Sequence, residues 1–159
     1  QQINMNQKFE EMLGLQLSSM STVALNYVGM NVSFLGNQSF FDGEKPLDIE
    51  YRLANEATFS KMRVINEEGE TVRTLDLEKA PGIHAVSWDG LDDQGDVVAA
   101  GTYDFVIDAL DQEENVVPSD MSVPGHVVGI DSSGGVSQLL LEGERVIPVA
   151  SVISAQQRV

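Results

Sequence analysis

Five aspartates stand within one short stretch, SWDGLDDQGDVVAAGTYDF (87–105), and four of them, Asp89, Asp92, Asp93 and Asp96, fall in, between or beside two turn-prone glycine pairs. Carboxylates at this density are the chemistry of a calcium loop, which needs about six to eight oxygens from carboxylates and carbonyls. Their spacing does not follow the EF-hand loop, with acids at positions one, three, five and twelve and glycine at six. Two readings follow: a non-standard cation site, or turn chemistry. Asp89-Gly90 and Gln94-Gly95 are both turn pairs, because glycine takes a positive φ without strain. The only tryptophan, Trp88, closes the apolar run before them, and Gly101 opens the next run, with Tyr103 and Phe105 at alternate positions. The expectation is therefore structural: two turns between strands, with Trp88, Tyr103 and Phe105 as core.

Other reactive side chains are sparse. The two histidines, His84 and His126, each fall in a predicted strand with no ligand-type spacing to a partner, and cysteine is absent. No G-x-S-x-G, Walker loop or G-x-G-x-x-G occurs, and Asp131-Ser-Ser-Gly-Gly135 reads as an ordinary turn. A glycosidase carboxylate pair would need an aromatic-lined cleft, and the chain is 6% aromatic. No catalytic, cofactor-binding or metal-ligating residue is nominated. The chain reads as a non-enzyme without a small-molecule substrate.

Charge narrows the class further. The 159 residues carry nine Lys/Arg against 25 Asp/Glu, a net of −16. Residues 37–124 hold six of the bases and twenty of the acids. A surface of this sign repels phosphate backbones and anionic membranes, which argues against nucleic-acid partners. No apolar run approaches the ~18 to 20 residues of a membrane span. The start, QQINMNQKFE, has neither a basic n-region nor an apolar core and reads as an internal start, with any export signal upstream.

The elements that must position these residues fall into three regions. Over residues 1–28 a helix is expected: Phe9, Met12, Leu13, Leu17, Met20, Ala24 and Tyr27 recur at three- and four-residue spacings, and Gly29 stands at its stop. A lone helix of this kind needs a partner surface, so the stripe is the candidate for self-association. Residues 37–124 read as mainly β. LDIEYRL (47–53) and TYDFVIDAL (102–110) alternate, FSKMRVIN (59–66) and ETVRTLDL (70–77) flank an acidic-Gly turn, IHAVSW (83–88) follows Pro-Gly, and a last strand is expected near 114–117. This spacing indicates an immunoglobulin-like or fibronectin-type sandwich. Residues 125–159 supply three Val/Ile/Leu-rich runs, too few strands to stand alone. Pairing them with MNVSF (30–34) makes a small barrel from 29–36 and 125–159, into which the sandwich is inserted.

These residues carry a resemblance. Trp88-Asp89-Gly90-Leu91-Asp92-Asp93-Gln94-Gly95, followed by Gly101-Thr102-Tyr103, resembles the signature of the Ig-like domain in bacterial flagellar hook-capping proteins, also called hook assembly scaffold or basal-body rod modification proteins. MRVINEEGETVRTLDL is similar to the family's strand pair, QQINMNQKFEEMLGLQ to its helix, and GHVVGIDSSGGVSQLLLEGERVIPVASVISAQQ to its closing β-module. ALNYVGMNVSF (24–34) resembles its "A-x-x-Ile/Val-Gly-Lys-x-Val" strand, with Met30 where Lys is common.

The resemblance implies a fibronectin type III/Ig-like sandwich inserted into a Tudor-like (SH3-like) barrel, behind an N-terminal α-helix. It also implies type III export, a ring of copies at the extracellular tip of the growing hook, and promotion of hook-subunit polymerisation. Methyl-lysine binding is not implied, because residues 125–159 have no aromatic side chain for a cage. A rival reading is an Ig-like surface adhesion or calcium/carbohydrate-binding module of a secreted bacterial protein. It predicts calcium-dependent stability at Asp89–Asp96 or an exposed aromatic patch.

Overall fold

The clearest alternation in the chain, LDIEYRL, becomes a strand in which burial follows the letters: Leu47, Ile49, Tyr51 and Leu53 are buried and the three charged residues between them are exposed. The computed structural model describes residues 24–133 and 135–157, and it is mainly β. Its strands are β1 (Met30–Leu35), β2 (Gln38–Phe41), β3 (Leu47–Leu53), β4 (Phe59–Ile65), β5 (Thr71–Asp76), β6 (Gly82–Trp88), β7 (Gly101–Leu110), β8 (Ser119–Asp131), β9 (Gln138–Leu141), β10 (Arg145–Pro148) and β11 (Val152–Gln157). The chain divides into two compact units, Ser33–Gly125 and Gln1–Val32 with His126–Val159.

The Ser33–Gly125 unit is a sandwich. One sheet has the order β2-β7-β4-β5; facing it, β3 pairs antiparallel with β6 on one side and with the first residues of β8 on the other. Aromatic rings lock the sheets together. Trp88, fully buried at the end of β6, lies 5.1 Å from Phe41 of β2, and 5.0 Å and 5.9 Å from Tyr103 and Phe105 of β7. Tilted and edge-on ring pairs at these distances add to the large area that each ring buries. Ile49, Leu53, Met62, Val64 and Ala109 complete the layer.

Three hairpin turns of this unit share one design. Asn66, Asp92 and Asp111 each donate their backbone N–H to the carbonyl of the residue four further on: Asn66 N to Glu70 O (2.9 Å), Asp92 N to Asp96 O (2.8 Å) and Asp111 N to Asn115 O (2.9 Å). Each side-chain Oδ1 also accepts two backbone N–H groups within its turn, at 2.9–3.0 Å. The fourth residue is left-handed in all three: Gly69 (φ 83), Gly95 (φ 87) and Glu114 (φ 66). The third copy therefore places a side chain where the first two place glycine, at a cost of roughly 1 kcal/mol. The expected strand at 114–117 is this turn: Val116 makes only an isolated bridge to Leu110, and β8 begins at Ser119. The acidic run DQEEN resembles strand by its following valines but lacks the glycine that would have marked the turn.

In the other unit the strand order is β10-β9-β8-β1-β11. The run ERVIPVASVIS, read as one strand, is divided by a 3₁₀ turn at Val149–Ser151 into β10 and β11. Those two strands stand at opposite ends of the order. A flat sheet would separate them by ~19 Å, whereas the chain from Pro148 to Val152 reaches ~14 Å at most. The sheet must curl toward closure, and the barrel is a consequence of that short link. Val32, Val127, Leu139, Leu141 and Ile147 fill it, and Ala24 is fully buried in the same unit. Residues 24–26 are helical, and the turn closes through Gly29 (φ 86), whose N–H donates to Val127 O at 2.8 Å. The rest of the helix expected over 1–28 lies outside the described residues. The strand β2 was not anticipated: QSFF is too short to show a period.

Gly90 is the residue that the sandwich cannot exchange. Its φ is 81, and an added Cβ would lie 2.1 Å from Phe41 Cζ. Gly90→Ala is expected to cost about 3 kcal/mol, from left-handed strain and overpacking together. In a Phe41→Ala background the same change should cost only the backbone part, ~1 kcal/mol. Denaturant midpoints of the four proteins of that cycle check this. Glu114→Gly should raise the midpoint by the equivalent of about 0.5–1 kcal/mol, and an unchanged midpoint would show that the left-handed Glu is unstrained.

Candidate functional site

The turn after Trp88 is built by its own carboxylates. Asp89 Oδ1 accepts the Leu91 N–H at 3.0 Å, and Leu91 O in turn accepts the Trp88 indole N–H at 3.0 Å. Asp92 Oδ1 accepts the N–H groups of Gln94 and Asp96. Asp93 reaches sideways to the edge of β5: its N–H donates to Val72 O (3.0 Å) and its Oδ1 accepts the Thr74 N–H (3.1 Å). Three of the four aspartates are thus fastened to backbone amides at different points along the loop.

Arg73 ties the loop together. From β5, its Nη1 donates to Leu91 O (3.2 Å) and Asp92 O (3.3 Å) and pairs with Asp89 Oδ1 at 3.5 Å, while its Nε stands 3.8 Å from Asp93 Oδ1. The sequence reading missed this residue. Its signal was present: Arg73 is one of only six bases among the twenty acids of residues 37–124. Tyr103 holds the far side of the same loop by donating its hydroxyl to Ala99 O at 2.6 Å. Burial, reinforced by the charges of Glu67 and Glu68, pushes that hydroxyl above its usual range. Asp42 is shifted the other way, its carboxylate held down by the backbone N–H groups of Lys45 and Glu44.

The two histidines find their partners outside this loop. His84 Nε2 lies 2.7 Å from Ala80 O with its ring 5.4 Å from that of Tyr51, and His126 Nδ1 lies 2.9 Å from Asn31 Oδ1. Among the described residues no group of three His, Asp or Glu side chains is placed to hold one metal ion. A cavity of about 450 Å³ lies elsewhere in the sandwich, lined by Thr58, Phe59, Ser60, Lys61, Asp76, Leu77 and Lys79. Ser60 Oγ is buried there, and among the described residues no group hydrogen-bonds to it as an activating base would. Lys61 is paired with Asp76 at 3.2 Å.

The signature residues take structural positions: Trp88 and Tyr103 in the core, Asp89 in the turn it caps, Gly90 against Phe41, Gly95 left-handed, and Gly101 opening β7 opposite Phe41. Of the proposed self-association stripe, Ala24 is buried and Tyr27 half-buried. Phe9, Met12, Leu13, Leu17 and Met20 lie outside the described residues.

Residues 36–113, which contain this whole loop and its Trp88 anchor, match the family model of the FlgD Ig-like domain. The segment is similar to the FlgD Ig-like domain. The FlgD fold extends beyond it. FlgD from P. aeruginosa superposes with a TM-score of 0.71 at 23% identity, covering 80% of this chain and 96% of that one. FlgD from Xanthomonas campestris gives 0.70 at 24% identity, covering 86% and 99%. A truncated FlgD from Helicobacter pylori gives 0.51 at 23% identity, covering 83% and 95%. At these identities the likeness is one of fold. No curated protein sequence matches the chain.

In this sandwich the acidic loop is a backbone staple, and a staple answers differently from a calcium site. Asp92→Asn keeps the Oδ1 acceptor and should leave stability nearly unchanged, whereas Asp92→Ala should lose about 1 kcal/mol. Melting with millimolar calcium and with chelator should give the same Tm. Equal losses for both variants, or a calcium-dependent Tm, would restore the cation-site reading.

Proposed function

We propose that the chain is a non-catalytic scaffold of the flagellar hook cap. The observation that carries this reading is the match of 36–113 to the FlgD Ig-like domain, set within a FlgD fold over 80% or more of the chain. The Xanthomonas campestris protein is described in terms of hook capping essential for flagellar assembly. By this reading the present chain is exported by the flagellar type III route, sits at the extracellular tip of the growing hook, and promotes addition of hook subunits.

The division of labour follows from chemistry. The segment 1–28 carries the apolar stripe Phe9, Met12, Leu13, Leu17, Met20, Ala24 and Tyr27 and serves self-association into a ring through its members other than Ala24, which is buried in its own unit, supported by the barrel of 29–36 and 125–159. Leu25 and Val28, at the described end of that segment, are 63% and 43% exposed, which supports a contact surface there. The sandwich, 37–124, faces the incoming subunits. A cap must hold its partner without arresting it, and a charged, hydrated surface suits transient contact better than a large apolar one.

Purified hook subunits mixed with the chain should polymerise faster, followed by light scattering, than hook subunits alone. The chain should sediment as an oligomer, and residues 29–159 alone as a smaller species. Polymerisation unaffected by the full chain would refute the scaffold role. An unchanged mass after removal of 1–28 would refute self-association through the stripe.

A further inference from the structure

The sandwich protects one of its long edges and leaves another open. β5 pairs with β4, and its outer edge is closed by Asp93, which occupies Val72 O with its N–H and the Thr74 N–H with its carboxylate. β6 has no such cover. Among the described residues its seven positions pair with β3 alone, and none of them makes another backbone-to-backbone hydrogen bond. Its letters, GIHAVSW, contain no charge and no proline, the usual devices that keep an edge strand from pairing. Ile83 is 66% exposed, and Ala85 and Ser87, two and four residues on, are exposed and small.

The same face carries a charge pattern that selects a partner. Register places Ser87 beside Asp48, Ala85 beside Glu50 and Ile83 beside Arg52. Asp48 and Glu50 are exposed, and neither has an ion-pair partner among the described residues. Arg52 is already matched, to Asp120 at 3.1 Å. A strand added outside β6 would lie about 10 Å from β3. A lysine or arginine on it, opposite Ala85 or Ser87, can lie over the small side chain and meet the carboxylate behind it.

We infer that β6 is a docking strand whose occupant is an extended segment of a partner protein, basic at alternate positions, with an apolar residue two positions further on. Main-chain bonds to the open edge supply affinity, and the row Ser87–Ala85–Ile83 with Asp48 and Glu50 behind it supplies selectivity. A second copy is a poor occupant, because pairing β6 with β6 would bring together two units that each carry fourteen more acids than bases. The inference does not rest on the hook-capping reading.

Titrating acetyl-Thr-Lys-Thr-Lys-Thr-Val-Thr-amide into the full chain, followed by backbone amide NMR, tests it. Saturable shifts and slowed amide exchange should centre on Ile83–Ser87. Asp48→Asn with Glu50→Gln, both at exposed positions, should weaken binding about tenfold, and the peptide with Glu in place of Lys should not bind. Four results would overturn the proposal: no saturable shift, shifts centred on another strand, equal affinity in the double variant, or concentration-dependent shifts of β6 without peptide, which would identify self-pairing.

Discussion

The contact between Trp88 and Phe41 fixes the sandwich. Trp88 closes β6 in one sheet, Phe41 closes β2 in the other, and their centroids stand 5.1 Å apart with Tyr103 and Phe105 completing the cluster. The backbone has to turn immediately after Trp88 and must pass over the Phe41 ring to do so. Only a residue without Cβ fits, which is why glycine follows Asp89. The indole N–H, buried with its ring, finds its acceptor at Leu91 O within the same turn, so that donor is not stranded in the core. Core, turn and loop course are one constraint.

The acidity of the sandwich is compatible with that core because many of its carboxylates have backbone or arginine partners. Asp42, Asp89, Asp92, Asp93 and Asp111 accept main-chain N–H groups, and Asp89, Asp93, Asp108 and Asp120 face arginines. Ion pairs this exposed contribute little individually. Their larger effect is to fix loop geometry, as Arg73 does by gathering two carbonyls and two carboxylates. Asp48 and Glu50 differ, being neither caps nor pair members. Among the carboxylates without such a partner, these two are the ones that stand on the strand next to the open edge.

The two sheet edges of the sandwich are treated differently. An open strand edge is a template for indiscriminate pairing, which a folded protein has to control. Asp93 closes β5 by mimicking a neighbouring strand, with one donor and one acceptor at the right spacing. High like charge disfavours pairing between copies through β6 while leaving that edge available to a partner of opposite sign.

The sequence by itself determined the strands that alternate and the turns that carry glycine. LDIEYRL and TYDFVIDAL declared their inner faces, and Asp89-Gly90 and Gln94-Gly95 declared turns, because period-two burial and positive φ are local requirements that residue types record directly. Trp88 was legible as core for the same reason. Where glycine was missing the reading failed: the Asp111–Asn115 turn repeats the geometry of Asn66–Glu70 and Asp92–Asp96 with Glu114 in the left-handed position, and it passed for strand. Tertiary structure alone decided that QSFF is a strand, since four residues have no period and β2 exists only because β7 offers it a ladder. It alone brought Arg73 to the aspartate loop and curled the barrel through the three-residue link between β10 and β11. Those outcomes depend on which strands become neighbours, and neighbourhood across tens of residues is set by packing, which no local pattern encodes.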